Sequence, residues 1–376
     1  MPKYRFEQIA INSTEKKKPT EEDRFTYLGL EHLDSGSLKV TRFGSDVAPI
    51  GEKLVMREGD VLFGKRRAYQ KKVAIAPFDG IFSAHGMVLR PREDVIDKDF
   101  FPLFISSDYF LDAAIKISVG SLSPTINWRD LRNLEFNLPP LDEQQKLAQV
   151  LWAMNNTMEA YKKLIKATED LVKSQFIALF GDPMTANTVK VPFSEYASVS
   201  GGFAFKSKEF IADAIPIIRI TNIEKGNVFL DYQVCYPTSF PCENEQYLVK
   251  KGDILMAMSG ATTGKAGLYR IDAPALLNQR VACIRTIPQK SSTGFVYALT
   301  QMDWFYTLVQ NAAEGGAQPN ISLRQIASIL VPYAPYQKQE EFAAFVQQSD
   351  KSKFELEQAL AELTATYKRI IAENLG

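Results

Sequence analysis

Short apolar runs, separated by Gly, Pro and Asp, form the first of two hydrophobic patterns that alternate along the chain. GDVLFGK (59–65) and GDILMAM (252–258) are examples, and both read as strands introduced by a Gly-Asp turn. Residues 99–118 and 292–313 are rich in apolar side chains and predict helices beside these strands. Each region therefore reads as a compact domain with a curved or barrel-like sheet and helices packed on it.

A heptad repeat is the second pattern, and it follows each strand-rich region. A one-sided stripe of about 35 residues needs a partner of similar length, which the other copy supplies; packing of each helix on its own domain is the alternative. Because both helices leave the same end of equivalent domains, we expect them to pair antiparallel. The predicted seam residues are Leu147, Leu151, Met154, Met158, Tyr161, Ile165, Val172, Phe342, Val346, Leu356, Leu360, Leu363, Tyr367 and Ile370.

The chain repeats itself at a long period. SPTINWRDLRNLEFNLPP (123–140) matches QPNISLRQIASILVPYAP (318–335) at an offset of 195 residues and without a gap. The offset is 193 for REGDVLF (57–63) and KKGDILM (250–256), so small loop insertions separate the two copies. Solenoid repeats are only about 20–50 residues long, and the longer period indicates duplication of a whole domain with a helical appendage.

The duplication predicts the domain organisation, and its last match places Gly181 on Gly376. We expect globular domains at 1–140 and 182–334, each followed by a coiled-coil helix, at 141–181 and 335–376. The predicted fold class is α+β: two tandem globular α/β domains joined by two long helices that form an antiparallel coiled coil, with pseudo-twofold symmetry.

Composition limits the location and partners of the protein. The 44 basic and 44 acidic residues give no net charge, which alone counts against nucleic acid, although a local patch decides the field at a surface. No apolar run approaches the roughly 18 residues of a membrane span, and residues 1–10 lack the apolar core of a signal peptide. Three cysteines without a CxxC pair indicate reduced thiols in a cytoplasmic protein, with a redox or metal role as the minor alternative.

No catalytic motif emerges from the sequence. GATTGKAG (260–267) has three residues between Gly260 and Gly264 where a phosphate-binding loop has four, and Ala266 stands where Ser or Thr would bind magnesium. Hydrolase, zinc-protease and amino-methyltransferase signatures are also missing from the sequence. The chain therefore reads as a binding protein without catalysis of its own.

A basic cluster, FGKRRAYQKK (63–72), is the first candidate nucleic-acid contact. Such side chains can neutralise phosphates, and an arginine fork can reach a guanine edge; an ordinary basic surface loop is the alternative. SAH (83–85) is the second candidate, because it aligns with NQR (278–280) in the other copy. The candidates from the first copy are Lys65, Arg66, Arg67, Tyr69, Lys71, Lys72, Ser83 and His85.

The second copy carries different side chains at matching positions. Its counterpart of the basic cluster is MAMSGATTGKAG (256–267), and a Gly-rich loop at 314–323 matches 118–128. In those loops Asn127 and Ser322 have helix capping as the alternative role. The candidates from the second copy are Lys206, Arg219, Ser259, Thr262, Thr263, Lys265, Asn278, Gln279, Arg280 and Gln318. Since frame residues repeat while presumed contacts differ, the two copies would recognise two different half-sites.

These motifs together resemble the specificity subunit of a type I restriction–modification system, and the resemblance covers essentially the whole chain. It rests on LPPLDEQQKLAQVL before the central helix, FGDP at the end of that helix, SGGFAFKSKEF, IPIIRITNIEKG, GDILMAMSGATTGKAG, LNQRVACIR and GGAQPNISLRQI. The first copy departs from the pattern, because it lacks the Gly-Gly and Phe-Lys-Ser stretch found at 201–207.

The resemblance implies two target recognition domains that each bind half of a bipartite site on double-stranded DNA, with the coiled coil as a ruler between them. It implies no cofactor on this chain: two methyltransferase subunits would bring S-adenosylmethionine, and restriction subunits would bring ATP. A non-catalytic scaffold that binds protein partners through its coiled coil is the alternative, and sequence-specific DNA binding separates the two. A silent duplicate used for recombination is a third possibility.

Overall fold

The computed structural model describes residues 1–185, 187–224, 226–232, 234–314 and 318–375. Gly376 and part of the second Gly-rich loop, residues 315–317, lie outside these residues. The chain divides into two compact units: unit 1 is Met1–Lys162 with Glu357–Gly376, and unit 2 is Lys163–Leu356. The division runs through both long helices, so each unit contains a segment of each helix.

Unit 1 is built on two four-stranded sheets, with strand orders β2-β9-β6-β7 and β3-β5-β8-β4, and on a β1-β10 pair. Pairing is antiparallel except between β4 and β8. The elements are β1 Lys3–Arg5, α1 Phe6–Ile9, β2 Ala10–Ser13, β3 Lys16–Lys17, β4 Tyr27–Leu28, β5 Lys53–Met56, β6 Val61–Phe63, β7 Val73–Ile75, β8 Gly80–Phe82, β9 Met87–Pro91, α2 Phe100–Ser106, α3 Asp108–Lys116, α4 Trp128–Leu131, β10 Glu135–Asn137 and the start of α5 Leu141–Phe180.

Unit 2 is built on sheets of order β12-β21-β18-β19-β15-β14 and β16-β13-β20-β17, and on a β11-β22 pair. The elements are β11 Lys190–Pro192, β12 Ala197–Gly201, β13 Ile215–Ile218, β14 Ile223–Glu224, β15 Gly226–Val228, β16 Cys235–Tyr236, β17 Leu248–Val249, β18 Ile254–Ala257, β19 Ala266–Leu268, β20 Ala275–Leu277, β21 Val281–Thr286, α6 Thr293–Gln301, α7 Asp303–Ala312, α8 Leu323–Ala327, β22 Leu330–Pro332 and the start of α9 Tyr336–Leu375.

The two units share a frame and differ at its edges. The strand order β2-β9-β6-β7 recurs as β12-β21-β18-β19, and β5-β8-β4 recurs as β17-β20-β13. Unit 1 adds β3 beside β5, whereas unit 2 adds β16 beside β13 and extends its larger sheet with β15 and β14. The strands that differ between the units therefore lie at sheet edges, where an added strand disturbs no existing pairing.

A buried ion pair recurs in the frame of each unit. Arg90 donates two hydrogen bonds to the carboxylate of Asp60, at 2.6 and 2.9 Å. Arg285 donates to both oxygens of Asp253 in the same way, at 2.8 and 2.7 Å. Both aspartates are buried and also cap the Gly-Asp turn that precedes β6 or β18. The repeated GD of the sequence thus reflects a requirement for a buried carboxylate at this turn.

A buried glutamine fixes the start of each long helix. Gln144 donates to the carbonyl oxygens of Val95 and Pro139, at 3.1 and 2.9 Å, and accepts from the amide of Asp97 at 2.8 Å. Gln339 makes the equivalent three hydrogen bonds in unit 2, with Lys290, Ala334 and Ser292. Because the amide satisfies three backbone groups at once, it attaches the helix to the domain in one orientation.

The long helices pack against one another within each unit. In unit 1 the early α5 residues Leu147 and Leu151 share an apolar cluster with Tyr367 and Ile370 of late α9. In unit 2 the end of α5 meets the start of α9, where the Phe176 and Phe342 ring centroids lie 5.6 Å apart. The direction is therefore antiparallel in both units, and the predicted α+β class with two long paired helices is confirmed. All fourteen predicted seam side chains are buried or half-buried.

The other expectations from composition meet simple findings. In the part of the chain that the structure describes, none of the helices is both long and apolar enough to cross a membrane. The three cysteines are free thiols, and burial raises the pKa of Cys283 to about 12, which keeps that thiol protonated.

Candidate nucleic-acid interface

The basic cluster of unit 1 forms a loop, residues 64–72, between β6 and β7; we call it the basic loop. Two of its residues, Arg67 and Lys71, have left-handed backbone, with φ of 53° and 48°. The carbonyl of Lys65 accepts from the amide of Ile126 at 2.9 Å, and Pro124 accepts from Ala68 at 3.2 Å. These hydrogen bonds hold the loop against the repeated SPT segment and leave its arginines exposed.

Arg66 is the centre of a small polar cluster. Its Nε donates to Ser123 Oγ at 3.1 Å, and one terminal nitrogen lies 3.3 Å from Nε2 of His85. The structure therefore brings together the basic loop and the SAH turn, which lie about 20 residues apart in the chain. An exposed guanidinium with its stem held in this way is suited to a base edge or a phosphate.

The surroundings of this cluster are strongly cationic. Burial lowers the pKa of His85, and the charges of Arg66, Lys65 and Lys53 lower it further. Burial likewise lowers the pKa of Lys65, with an added contribution from Lys16. Cations that depress one another's pKa mark a positive potential, which attracts an anion.

Lys16 and Lys53 are members of this cationic surface that the sequence analysis did not identify. They come from β3 and β5, which pair antiparallel and place Lys17 opposite Lys53. The signal available in the sequence was the run EKKK (15–18), but a run of lysines is more often a solvated surface.

Three other candidates of unit 1 make structural contacts. Lys71 forms ion pairs with Asp108 and Asp112, at 2.8 and 2.7 Å, and Lys72 donates to the carbonyl of Leu30 at 2.5 Å. Ser83 is buried, and its Oγ accepts from the amide of His85 at 3.3 Å. These side chains shape the loop and the turn. Tyr69, by contrast, is 57% exposed and available for stacking.

The SAH turn has a counterpart of the same geometry in unit 2. Asn278 Oδ1 accepts from the amide of Arg280 at 3.1 Å, as Ser83 does for His85. The carbonyl of Ile218 accepts from the amide of Asn278 at 3.1 Å, and in unit 1 the carbonyl of Leu28 accepts from the amide of Ser83 at 2.9 Å. Gln279 and Arg280 are exposed at this turn.

Residues 258–265 occupy the place of the basic loop in unit 2; we call them the hydroxyl loop. Arg66 and Thr125 form a β-bridge in unit 1, and Ser259 and Asn320 form the matching bridge in unit 2. Thr263 is buried and donates to Gly260 or Pro319, with its Oγ1 2.8 and 2.9 Å from their carbonyl oxygens. The loop continues into strand β19 and not into a helix, so it lacks the architecture of a phosphate-binding loop.

Two hydroxyls of the hydroxyl loop have no hydrogen-bond partner in the described part of the chain. Among the described residues, Ser259 Oγ and Thr262 Oγ1 are buried and make no hydrogen bond. A buried polar atom left unpaired costs about 1–3 kcal/mol, so a ligand that pairs it gains affinity. Lys265 is exposed at the end of the same loop.

The remaining candidates surround the turn of unit 2. The amide of Gln279 donates to the carbonyl of Phe203 at 2.9 Å, which places the segment that carries exposed Lys206 beside the turn. Arg219 forms an ion pair with Asp231 at 3.0 Å, while its Nε is buried without a partner in the described part of the chain. Gln318 is exposed at the edge of the described residues. No group of three or more potential metal ligands occurs among the residues searched, which are the described ones.

Comparison with protein families identifies the class. A model described as the type I restriction modification DNA specificity domain matches residues 12–169 and again residues 188–364. The chain therefore belongs to the type I restriction–modification specificity subunits. It is a subunit of a type I restriction–modification complex and determines its DNA recognition; specificity subunits are non-catalytic, and the cofactors bind to the methyltransferase and restriction subunits.

Individual relatives agree with this family. The specificity subunit of type I restriction enzyme MjaVIII from Methanocaldococcus jannaschii is 24% identical over 345 residues, which is 86% of this chain and 78% of that protein. The EcoDI specificity subunit from Escherichia coli is 27% identical over 188 residues, or 48% of this chain and 42% of that protein.

Solved structures match the fold. The specificity subunit of a type I system from M. genitalium superposes with a TM-score of 0.59 at 15% identity, covering 98% of this chain and 94% of that chain. A chain from a structure of type I complex assembly and conformational transition gives 0.53 at 17% identity, covering 99% and 97%.

Proposed function

We propose that this subunit recognises a bipartite, asymmetric site on double-stranded DNA in the cytoplasm, with one half-site bound by each unit. We assign target recognition domains to 1–140 and 182–334 and coiled-coil helices to 141–181 and 335–376. The proposal rests on one observation: the two units share a buried frame, including the Asp–Arg and glutamine contacts, but present different side chains on the same loops.

The contact groups differ in kind between the units. In unit 1 we assign direct contacts to Arg66, Arg67, Tyr69 and His85, all exposed around one cationic surface. The remaining unit 1 candidates, Lys65 excepted, position these groups through the contacts described above. Arginine forks and lysine charges suit guanine edges and phosphates.

In unit 2 we assign contacts to the hydroxyls of Ser259 and Thr262, which no described residue pairs, and to exposed Lys265, Gln279 and Arg280. Hydroxyl and amide groups read base edges in either donor or acceptor mode, so this half-site need not resemble the other. Lys206, Arg219 and Gln318 flank these contacts, and Thr263 and Asn278 shape the loops.

Helix α5 offers a docking surface for a methyltransferase subunit. Beside its buried seam, about a quarter to a third of the way around the helix, runs a second heptad column of exposed residues, and Val150, Leu164 and Leu171 are each 50–53% exposed. The column is Val150, Ala153, Thr157, Ala160, Leu164, Ala167, Leu171, Ser174 and Ala178. The duplicated positions of α9 include Glu355, Glu362, Arg369 and Glu373, so duplication alone does not explain the apolar stripe. A second a/d column suits another helix, and within a type I complex we assign that helix to a methyltransferase subunit, with restriction subunits joining the assembly.

The genomic methylome of the source cell tests both parts of this proposal. With the gene intact, we expect one interrupted, asymmetric adenine-methylated motif, which is lost when the gene is deleted. Leu164→Glu with Leu171→Glu should abolish the same methylation and the co-purification of the methyltransferase.

The control is Lys163→Glu, which changes another exposed position of α5; it should leave the methylation and the co-purification intact. A methylome that is unchanged by deletion, together with purified complex that binds no DNA site selectively, would contradict the proposal and favour a protein scaffold.

A further inference from the structure

A polar cleft lies beside the basic loop in unit 1. Its volume is about 190 Å³, and β2, the 84–87 segment and the 126–128 segment form its walls together with the two lysines Lys16 and Lys65. The neutral polar groups at the wall are Asn12, Ser13, Thr14 and Asn127, and no carboxylate is among the described residues that line the cleft.

The charge of the cleft is only partly compensated within the described residues. Lys16 lies 3.9 Å from Glu52, at the limit of an ion pair, and both side chains are half exposed. Lys65 Nζ makes no ion pair or hydrogen bond with a described residue, and the lowered pKa of Lys65 follows from burial and then from the charge of Lys16. Two ammonium groups and neutral donors around a small cavity provide the chemistry of an anion site.

The described residues at the equivalent position of unit 2 are apolar where the cleft of unit 1 is polar. The two units make the same backbone contact here. The carbonyl oxygen of Lys65 accepts a hydrogen bond from the amide of Ile126, and the carbonyl oxygen of Met258 accepts one from the amide of Ile321, each at 2.9 Å. Asn12 pairs with Leu89 in unit 1, and Val199 pairs with the equivalent Ile284 in unit 2, so Val199 stands in the place of Asn12. The sequence match places Leu323 in the place of Trp128. Val199, Met258 and Leu323 pack against the apolar cluster of unit 2. The cleft is therefore a feature of unit 1 and not of the shared frame.

We propose that this cleft binds one phosphate of the DNA backbone, between Lys16 and Lys65, in the half-site that unit 1 recognises. The ligand class is a phosphodiester anion, and the neutral side chains Asn12, Ser13 and Thr14 complete its hydrogen bonds. The proposal rests on the proposed function, and it predicts a charged anchor in one half-site only.

The test uses the assembled methyltransferase complex, the DNA site read from the methylome, and the double variant Lys16→Met with Lys65→Met. Methionine already occupies the second position in unit 2, so the fold tolerates it there. We expect weaker binding of the whole site and a salt slope, log affinity against log salt, that is smaller by about 0.9. Lys98→Met, at another exposed lysine of unit 1, should change neither quantity.

Single methylphosphonate linkages, which lack the backbone charge, locate the phosphate. One linkage in the unit 1 half-site should weaken the wild type severalfold and leave the double variant unaffected. If no linkage behaves in this way, or if the double variant keeps the wild-type affinity and slope, the cleft is not a backbone site. That result differs from failure of the proposed function, in which the wild type itself would bind no site selectively.

Free phosphate is the other source of the same chemistry. Inorganic phosphate can be compared with chloride at equal ionic strength in thermal unfolding of DNA-free complex. In one outcome, phosphate stabilises the wild type but not the double variant, while no methylphosphonate linkage weakens the wild type alone. That result would assign the cleft to a free anion and overturn the DNA assignment.

Discussion

The basic loop of unit 1 and the hydroxyl loop of unit 2 follow equivalent strands and make equivalent backbone contacts. The β-bridge from Arg66 to Thr125 recurs from Ser259 to Asn320. One loop presents exposed arginines in a cationic surface, and the other carries small hydroxyls that are buried and lack hydrogen-bond partners among the described residues. The duplicated backbone therefore carries two chemically different loops.

This difference shows where the sequence was free to diverge. The buried aspartate before each loop and its arginine partner are retained in both units, because loss of either leaves a charge unpaired in the frame. Side chains that point away from the frame carry no such constraint. Under the proposed function, a new half-site would require changes in the loops and not in this frame.

The largest expected effect comes from breaking the shared frame. Asp60→Asn in unit 1 and Asp253→Asn in unit 2 should each lower the free energy of unfolding by about 2–3 kcal/mol, since each leaves a guanidinium partly unpaired. Denaturant unfolding of the purified chain measures the loss. Similar losses from the two substitutions would support equivalent frames.

The control for the frame is the exposed pair of Lys3 and Glu135, whose charged atoms lie 2.8 Å apart. Glu135→Gln should leave stability unchanged, because solvent screens this pair. A large loss of stability from Asp60→Asn with none from Asp253→Asn would contradict the equivalence of the two frames, because it would mean that only one of the buried ion pairs stabilises its unit.

The loops themselves should separate the two half-sites. Arg66→Ala should weaken binding to the unit 1 half-site by about tenfold or more, as loss of a specific arginine contact costs about 1–3 kcal/mol. Ser259→Ala should act on the other half-site only, and by less. Competition binding with DNA in which one half-site is scrambled measures each effect separately.

Lys98→Ala, an exposed substitution of unit 1 away from the loops, serves as the control for both variants. Equal loss at both half-sites from Arg66→Ala would be incompatible with one unit per half-site. The contribution of Arg66 to DNA binding would then be a general electrostatic one that does not distinguish the half-sites.

The sequence predicted the long helices because their signal is local. Apolar residues recur in a heptad pattern within one continuous stretch of chain, and the predicted seam residues all lie within α5 and α9. The helical segment at 99–118 is divided into α2 and α3, because Ser107 has extended backbone and its hydroxyl accepts from the amide of Phe110. A serine that interrupts a helix resembles one inside it when only apolar spacing is considered.

The candidate site was less predictable, because its groups meet through tertiary structure. Lys16 comes near Lys65 through the pairing of β3 with β5, and Lys53 comes near His85 through the pairing of β5 with β8. Ser83 and Asn278 carry polar groups that suit a base edge, yet their side chains accept from the backbone of their own turns. Residue type indicates which bonds are possible, whereas the local backbone decides which of them form.

The smallest expected effect is a pH dependence confined to unit 1. Burial and neighbouring cations hold the pKa of His85 below its ordinary value of 6.5, so the free protein carries a neutral imidazole at neutral pH. A nearby DNA phosphate would favour the charged form and raise that pKa, so binding would take up a proton. Affinity for the unit 1 half-site should therefore rise as the pH falls from about 8 to 6, by less than tenfold per pH unit.

His85→Gln should remove this pH dependence while keeping a polar group at the turn. The unit 2 half-site supplies the internal control, because both histidines of the chain lie in unit 1 and Arg280 stands at the position equivalent to His85. Calorimetric titrations in buffers of different ionisation enthalpy count the proton directly. Uptake that persists in His85→Gln would place the titrating group elsewhere, and a parallel rise at both half-sites would show that pH acts on the complex as a whole and not through the loop difference.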